Sequence, residues 1–155
     1  MITQFKRTLT QAQSDITTAN LKAVLQIDYS SEDAYLSDIL TRAVSSYENV
    51  TGRYLNEYDV VLTVAGKHNR PLPGHPIDFD TVEVTDGEFK DGLIKVAAGD
   101  KAVATYKIGG HVEPVDAANV LELAAVMYQS KMVDNMTVNA FITKNYRARS
   151  AKQTM

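Results

Sequence analysis

From Tyr35 to Tyr47 the apolar side chains Tyr35, Leu36, Ile39, Leu40, Ala43, Val44 and Tyr47 recur as pairs four residues apart, a spacing that makes one broad hydrophobic face on an α-helix. The punctuation agrees with the period. Ser30 can cap the N-terminus, Glu32 and Asp33 put negative charge in the first turn, where the macrodipole favours it, and Gly52 suits the left-handed residue that ends a helix. A helix over about 31–52 is therefore the element around which the rest must pack. A shorter helix over about 18–26 precedes it, with Thr17 or Thr18 as N-cap and Leu21, Val24 and Leu25 on one stripe; at that length it needs a neighbour to form. The leader up to Ile16 is polar, with only weak strand character around Ile2 to Leu9, and is expected to be partly mobile.

Beyond Glu57 the period changes from 3.6 to 2. Candidate strands run over Asp59 to Val64, Thr81 to Val84, Leu93 to Ala97 and Val103 to Ile108, separated by turn signals at Pro71 to Pro76, Asp86-Gly87, Asp91-Gly92 and Gly99-Asp100. After Pro114 the helical period returns over about 116–133, with Asp116 as cap and Val120, Leu123, Ala124, Met127, Tyr128 and Met132 on one face. Tyr35, Tyr47 and Tyr128 all fall on core faces, where they pack with their hydroxyls at the rim. These spacings predict an α+β fold that is mainly helical. Two or three packed helices, one of them long and central, carry a small antiparallel sheet or hairpin insertion at about 57–110, between the second and third helices. The expected organisation is one domain over 1–134 and a basic C-terminal arm over 135–155.

A chain of 155 residues, 45% hydrophobic, is long enough to bury a core without covalent staples. The absence of cysteine excludes disulfides and thiolate zinc sites and fits a reducing compartment. No run approaches the roughly 18 apolar residues that span a bilayer, and the N-terminus lacks the apolar segment of a signal peptide, so a cytosolic, membrane-free protein is expected. Charge is unevenly spread. Through Asp134 there are 12 basic residues against 19 acidic ones, whereas after it Lys144, Arg147, Arg149 and Lys152 stand without a single acid.

Catalytic chemistry has little to build on. His68, His75 and His111 all sit in predicted turns and no pair has helical metal-ligand spacing. Asp78 and Asp80 lack the glycine and the bidentate acid of a calcium loop, no glycine pattern cradles phosphate, and no nucleophile elbow is present. No catalytic residue, cofactor or metal ligand is expected. The C-terminal arm is different, because its four cations can meet phosphates or an acidic surface while Val138, Phe141, Ile142 and Tyr146 give it large apolar groups that a purely electrostatic tail does not need. Val138, Phe141, Ile142, Lys144, Tyr146, Arg147, Arg149 and Lys152 are thus the candidate partner-binding residues. They are expected to order only against a partner. A solvated terminus and a direct nucleic-acid contact are the other readings of the same segment.

The run NLKAVLQIDYSSEDAYLSDILTRAVSSYENVTGRYL resembles the opening of the head-tail connector, or adaptor, family of tailed bacteriophages. The features that carry the likeness are Leu21-Lys22, Ile27-Asp28, Glu32-Asp33 and the Glu-x-x-Thr-Gly-Arg sequence from Glu48 to Arg53. LPGHPIDFDTVEV is similar to the family's Leu-Pro-x-x-Pro stretch before a Val-rich strand, ATYKIGG to its Tyr-x-x-Gly strand end, and Val115 to Tyr128 to the helix that follows. The segment after Asp134 matches no pattern of the family. The resemblance implies a non-enzymatic virion protein of the neck, made in the host cytoplasm. It implies a ring, usually dodecameric, that sits under the portal protein, joins capsid to tail, meets a tail-completion or stopper protein, and lines the channel through which genomic DNA passes without sequence-specific binding. It also implies a C-terminal segment that docks on the portal or on a neighbouring subunit. The competing reading, from the residues alone, is a small soluble binding module that contacts nucleic acid through its basic tail, which salt-sensitive DNA binding would distinguish.

Overall fold

The alternation at Tyr58, Val60, Leu62 and Val64 does become a strand, with those four side chains buried and the residues between them facing outward. The computed structural model describes residues 2–66, 71–96, 101–130 and 135–147. Within them the chain divides into two compact units, one made of Met1–Ala12 and Tyr54–His111 and the other of Gln13–Arg53 and Val112–Met155.

The first unit is a sheet. Strands β1 (Ile2–Gln11), β2 (Glu57–Ala65), β3 (Ile77–Thr85), β4 (Gly87–Lys90), β5 (Leu93–Val96) and β6 (Lys101–Ile108) form a four-stranded antiparallel sheet in the order β1-β2-β6-β3 and a separate β4-β5 hairpin. Register matches large to small across the central pair: Leu62 lies opposite Ala104, and Val64 opposite Ala102. The space those alanines leave is filled from the hairpin side. Ile94 is fully buried, Phe89 and Val96 pack against the same core, and a Cβ on Gly87 would stand 3.0 Å from the Cβ of Ala102. The hairpin itself turns at Asp91 and Gly92, both with positive φ (56° and 76°), as the Asp-Gly signal requires.

The second unit is helical: α1 (Thr18–Leu25), α2 (Asp33–Thr51), α3 (Pro114–Ser130) and α4 (Asn135–Ile142), the last running into a π-helical turn over Thr143–Arg147. Thr17 caps α1 through a capping box with Asn20, and Lys22 of α1 reaches Asp33 of α2 at 2.8 Å. The apolar stripe of α2 is buried as its period demands, at Leu36, Ile39, Leu40, Ala43, Val44 and Tyr47. Val120, Leu123, Ala124 and Met127 of α3 are buried, as are Val138 and Ile142 of α4.

The expected mainly helical fold with a small hairpin insertion is overturned. Among the described residues there are four helices and a four-stranded antiparallel sheet. The leader, expected to be partly mobile with only weak strand character around Ile2 to Leu9, contains the full strand β1, which pairs along its length with β2 some fifty residues away, from Ile2↔Val64 to Gln11↔Glu57. Nine of its ten side chains are exposed, so no hydrophobic alternation announces it; backbone hydrogen bonding holds it. Smaller expectations shift too. Val24 is 52% exposed and Tyr35 46% exposed, and α2 begins without a side-chain cap, since Ser30 contributes its carbonyl to the Asp33 N–H instead. Met132 lies outside the described residues.

Candidate functional site

Gly52 adopts the left-handed conformation (φ 74°) that ends α2, and the reversal delivers the next residue, Arg53, to the first turn of α3. There the Arg53 guanidinium meets Asp116 twice, Nη2 donating to Oδ2 at 3.1 Å and Nε lying 3.0 Å from Oδ1, while Nη2 also stands 3.2 Å from Glu113 Oε2. Asp116 is 1% exposed. Its carboxylate further accepts the Tyr47 hydroxyl at 2.8 Å and the Glu113 backbone N–H at 3.3 Å, and Asn119 Nδ2 donates to the Tyr47 hydroxyl oxygen at 3.3 Å. A buried carboxylate is tolerated only when paired and fully hydrogen-bonded, and this one is. Burial, with the Asp116 carboxylate adding to it and Asn119 opposing, pushes the Tyr47 phenol up to about 12.

This cluster looks at first like chemistry, with a carboxylate, a phenol, an amide and a guanidinium converging. It is a clasp. Asp116, 1% exposed, is spent on Arg53, on the Tyr47 hydroxyl and on the helix N-terminus. Its effect is to fix the end of α2 against the start of α3. The Glu-x-x-Thr-Gly-Arg run of the sequence is thereby explained as packing: Glu48 is buried, the Thr51 hydroxyl donates to the Tyr47 carbonyl at 2.6 Å, and Arg53 makes the ion pair. At the other end of the unit Tyr128 donates its hydroxyl to Glu32, a bond whose charge pushes the phenol's pKa up, and its ring lies 6.1 Å from that of Tyr35.

The candidate partner-binding residues separate by face. Val138, Ile142 and Tyr146, four residues apart, form one stripe buried inside the helical unit; the Tyr146 ring meets Tyr47 edge-on at 6.0 Å and Phe141 at 5.8 Å. Phe141 is half-buried and Lys144 is exposed. Arg147 closes the π-helical turn, and Arg149 and Lys152 lie outside the described residues. His75 and His111 are exposed, whereas His68 is outside the described residues. Among the described residues no group of three or more His, Cys, Asp or Glu side chains is placed to hold a metal, and no helix is long and apolar enough to cross a membrane.

The sheet unit shows two margins among its described residues, β1 and β3. Residues directly opposed in an antiparallel pair share a face, so Phe5, Arg7 and Leu9 extend the inner face carried by Leu62, Val60 and Tyr58. There the covering stops: Phe5 is 36% and Leu9 54% exposed, while Arg7 lays its guanidinium 4.9 Å from the Tyr54 ring centre. On β3, Phe79 is 58% exposed and stacks on Phe89 at 6.2 Å, beside the exposed Asp78, Asp80 and Glu83. The sequence carried weak strand character at Ile2 to Leu9 and a strand at Thr81 to Val84, but not that these two strands are the margins, since neither carries a motif.

Comparison with known proteins agrees with the resemblance seen in the sequence. Residues 15–84 match the family of phage gp6-like head-tail connector proteins. No curated protein matches the chain in sequence. Among solved structures, a chain from the neck of an empty GTA particle, computed with C6 symmetry, superposes with a TM-score of 0.62 at 17% identity, over 84% of this chain and 86% of that one. A chain from the virion of the native gene transfer agent (GTA) particle gives 0.60 at 17% identity, over 86% and 93%. At that identity the likeness is one of fold.

Proposed function

We propose that this chain is a structural subunit of a head-tail connector, a non-enzymatic virion protein of the neck that assembles as a ring under a portal protein, joins capsid to tail and borders the channel through which DNA leaves. The match of residues 15–84 to the connector family carries this reading. The fold shared with chains of a GTA neck and virion supports it, and so does the use of the convergent polar cluster as a clasp rather than a reaction centre. A ring of identical subunits needs two different patches that fit each other, and charge polarity helps to select them.

In this reading the C-terminal segment has two roles along its length. Val138, Ile142 and Tyr146 anchor it to its own helical unit, and Phe141, Lys144, Arg147, Arg149 and Lys152 are assigned by their chemistry to an acidic surface of the portal or of a neighbouring virion protein. DNA in the channel would pass without adhering, because the 19 acids against 12 bases through Asp134 repel phosphate. The test is removal of the gene from the phage genome that encodes it. DNA-filled heads and free tails should accumulate unjoined, and added purified protein should restore joining; particles of normal yield and infectivity would refute the role.

A further inference from the structure

We propose that copies of this chain associate head to tail through the two margins of the sheet, the β1 margin of one copy against the β3 margin of the next. The inference rests on the reading of the chain as a self-assembling subunit and names the contact that reading leaves open. Three observations carry it. The first is charge: β1 contains Lys6 and Arg7 and no acid, whereas β3 contains Asp78, Asp80 and Glu83 and no base. Opposite signs on the two ends of one sheet attract copies in the same orientation and repel β1 from β1 and β3 from β3.

The second is uncovered apolar surface. Ile2, Phe5 and Leu9 on β1, exposed to 40%, 36% and 54%, and Phe79 on β3, exposed to 58%, account for four of the eight large hydrophobic side chains left exposed among the described residues. A ten-residue margin strand with apolar residues and no proline is a template for pairing unless something occupies it. The third is direction. In the antiparallel order β1-β2-β6-β3 the two margin strands run opposite ways, so successive copies in the same orientation would bring them together antiparallel. Such a contact joins unlike patches and can close into a ring. The ladder between β3 and β6 is irregular from Asp78 to Glu83, where Thr81 Oγ1 accepts the Lys107 N–H at 2.9 Å and the Asp80 N–H turns back to the Asp78 side chain at 3.2 Å. The middle of β3 therefore contributes side chains rather than backbone groups, which makes charge the selective element.

A charge exchange tests this on the full chain. Lys6→Glu cancels the net positive charge of β1 and sets a carboxylate against those of β3, and, separately, Asp80→Lys with Glu83→Lys sets like charges across the contact; each variant alone should self-associate at least about tenfold more weakly than the wild type in sedimentation velocity. Mixed in equal amounts, the two variants restore opposite signs at every contact of an alternating assembly, and wild-type association should return. The chain carrying all three substitutions should associate as well as the wild type, which excludes misfolding as the cause. A wild type that assembles while the variants assemble equally well overturns the strand-margin contact and leaves self-assembly standing. A wild type that stays monomeric at every accessible concentration overturns both.

Discussion

Replacing Arg53 by Met would leave the Asp116 carboxylate buried without its cation. Of the polar contacts that carboxylate makes, Arg53 supplies two, at 3.1 and 3.0 Å, and, among the described residues, the only full positive charge in contact with it; the Tyr47 hydroxyl and the Glu113 N–H remain. Removing one partner of a buried pair costs about 3 to 5 kcal/mol. The Met side chain still covers the apolar surface under the Arg stem, and the Arg53 side chain is 11% exposed, so water can enter at that rim; both push the value to the lower end, about 3 kcal/mol. For a chain of this length that is a fall in unfolding midpoint of roughly 6 to 12 °C. Circular dichroism at 222 nm, on heating and in urea, reads it. The companion variants are Asp116→Leu and the double Arg53→Met/Asp116→Leu. If the clasp is an ion pair held in a dry setting, the double variant recovers much of the loss, because two apolar groups of similar volume cost less than one orphaned charge. Single-variant losses below about 0.5 kcal/mol, or losses that simply add, would refute the description of Asp116 as a buried, arginine-dependent carboxylate.

Further outcomes follow from the same geometry. Because burial raises the Tyr47 phenol above its unfolded value of 10, to about 12, its contribution to stability is complete below pH 10 and lost as pH rises towards 12; Tyr47→Phe should flatten that alkaline fall in a denaturation series, though not abolish it, since the Tyr106 and Tyr128 phenols are raised too. Ile142→Ala should cost about 2 to 5 kcal/mol in urea unfolding of the isolated chain, as expected of a fully buried core side chain, whereas removing 148–155 should leave the unfolding midpoint unchanged. Equal, negligible effects of the two would show that α4 docks only on a partner. Gly109→Ala should prevent soluble accumulation, because φ is +78° and a Cβ would lie 1.9 Å from the Asn56 carbonyl oxygen; Gly66→Ala, with a similar φ and nothing within 4 Å, should cost only about 1 kcal/mol by thermal melting.

What could be read from the sequence was the structure that side-chain burial dictates. The α2 stripe from Leu36 to Tyr47, the alternation of β2 and β6, and the Asp91-Gly92 turn are all local patterns with a single physical solution. β1 escaped because its ten residues are held by backbone bonds to β2 and bury almost nothing. The stripe of Val138, Ile142 and Tyr146 was visible as apolar groups on a basic segment, but its four-residue spacing is the same whether the helix packs on its own α2 or in another protein's groove. The clasp was hidden by distance. Arg53 and Asp116 stand 63 residues apart, and each has a sufficient local reading, one as part of a helix-ending motif and the other as an acid in a first turn.

The central claim is that this chain works by joining other virion proteins, and electron microscopy of the full chain mixed with the portal protein encoded by the same genome tests it most directly. The account predicts a ring of this chain stacked coaxially on the portal, with the central channel continuous through both. Free portals beside unassembled chains, across the concentrations at which each protein remains soluble, would contradict it.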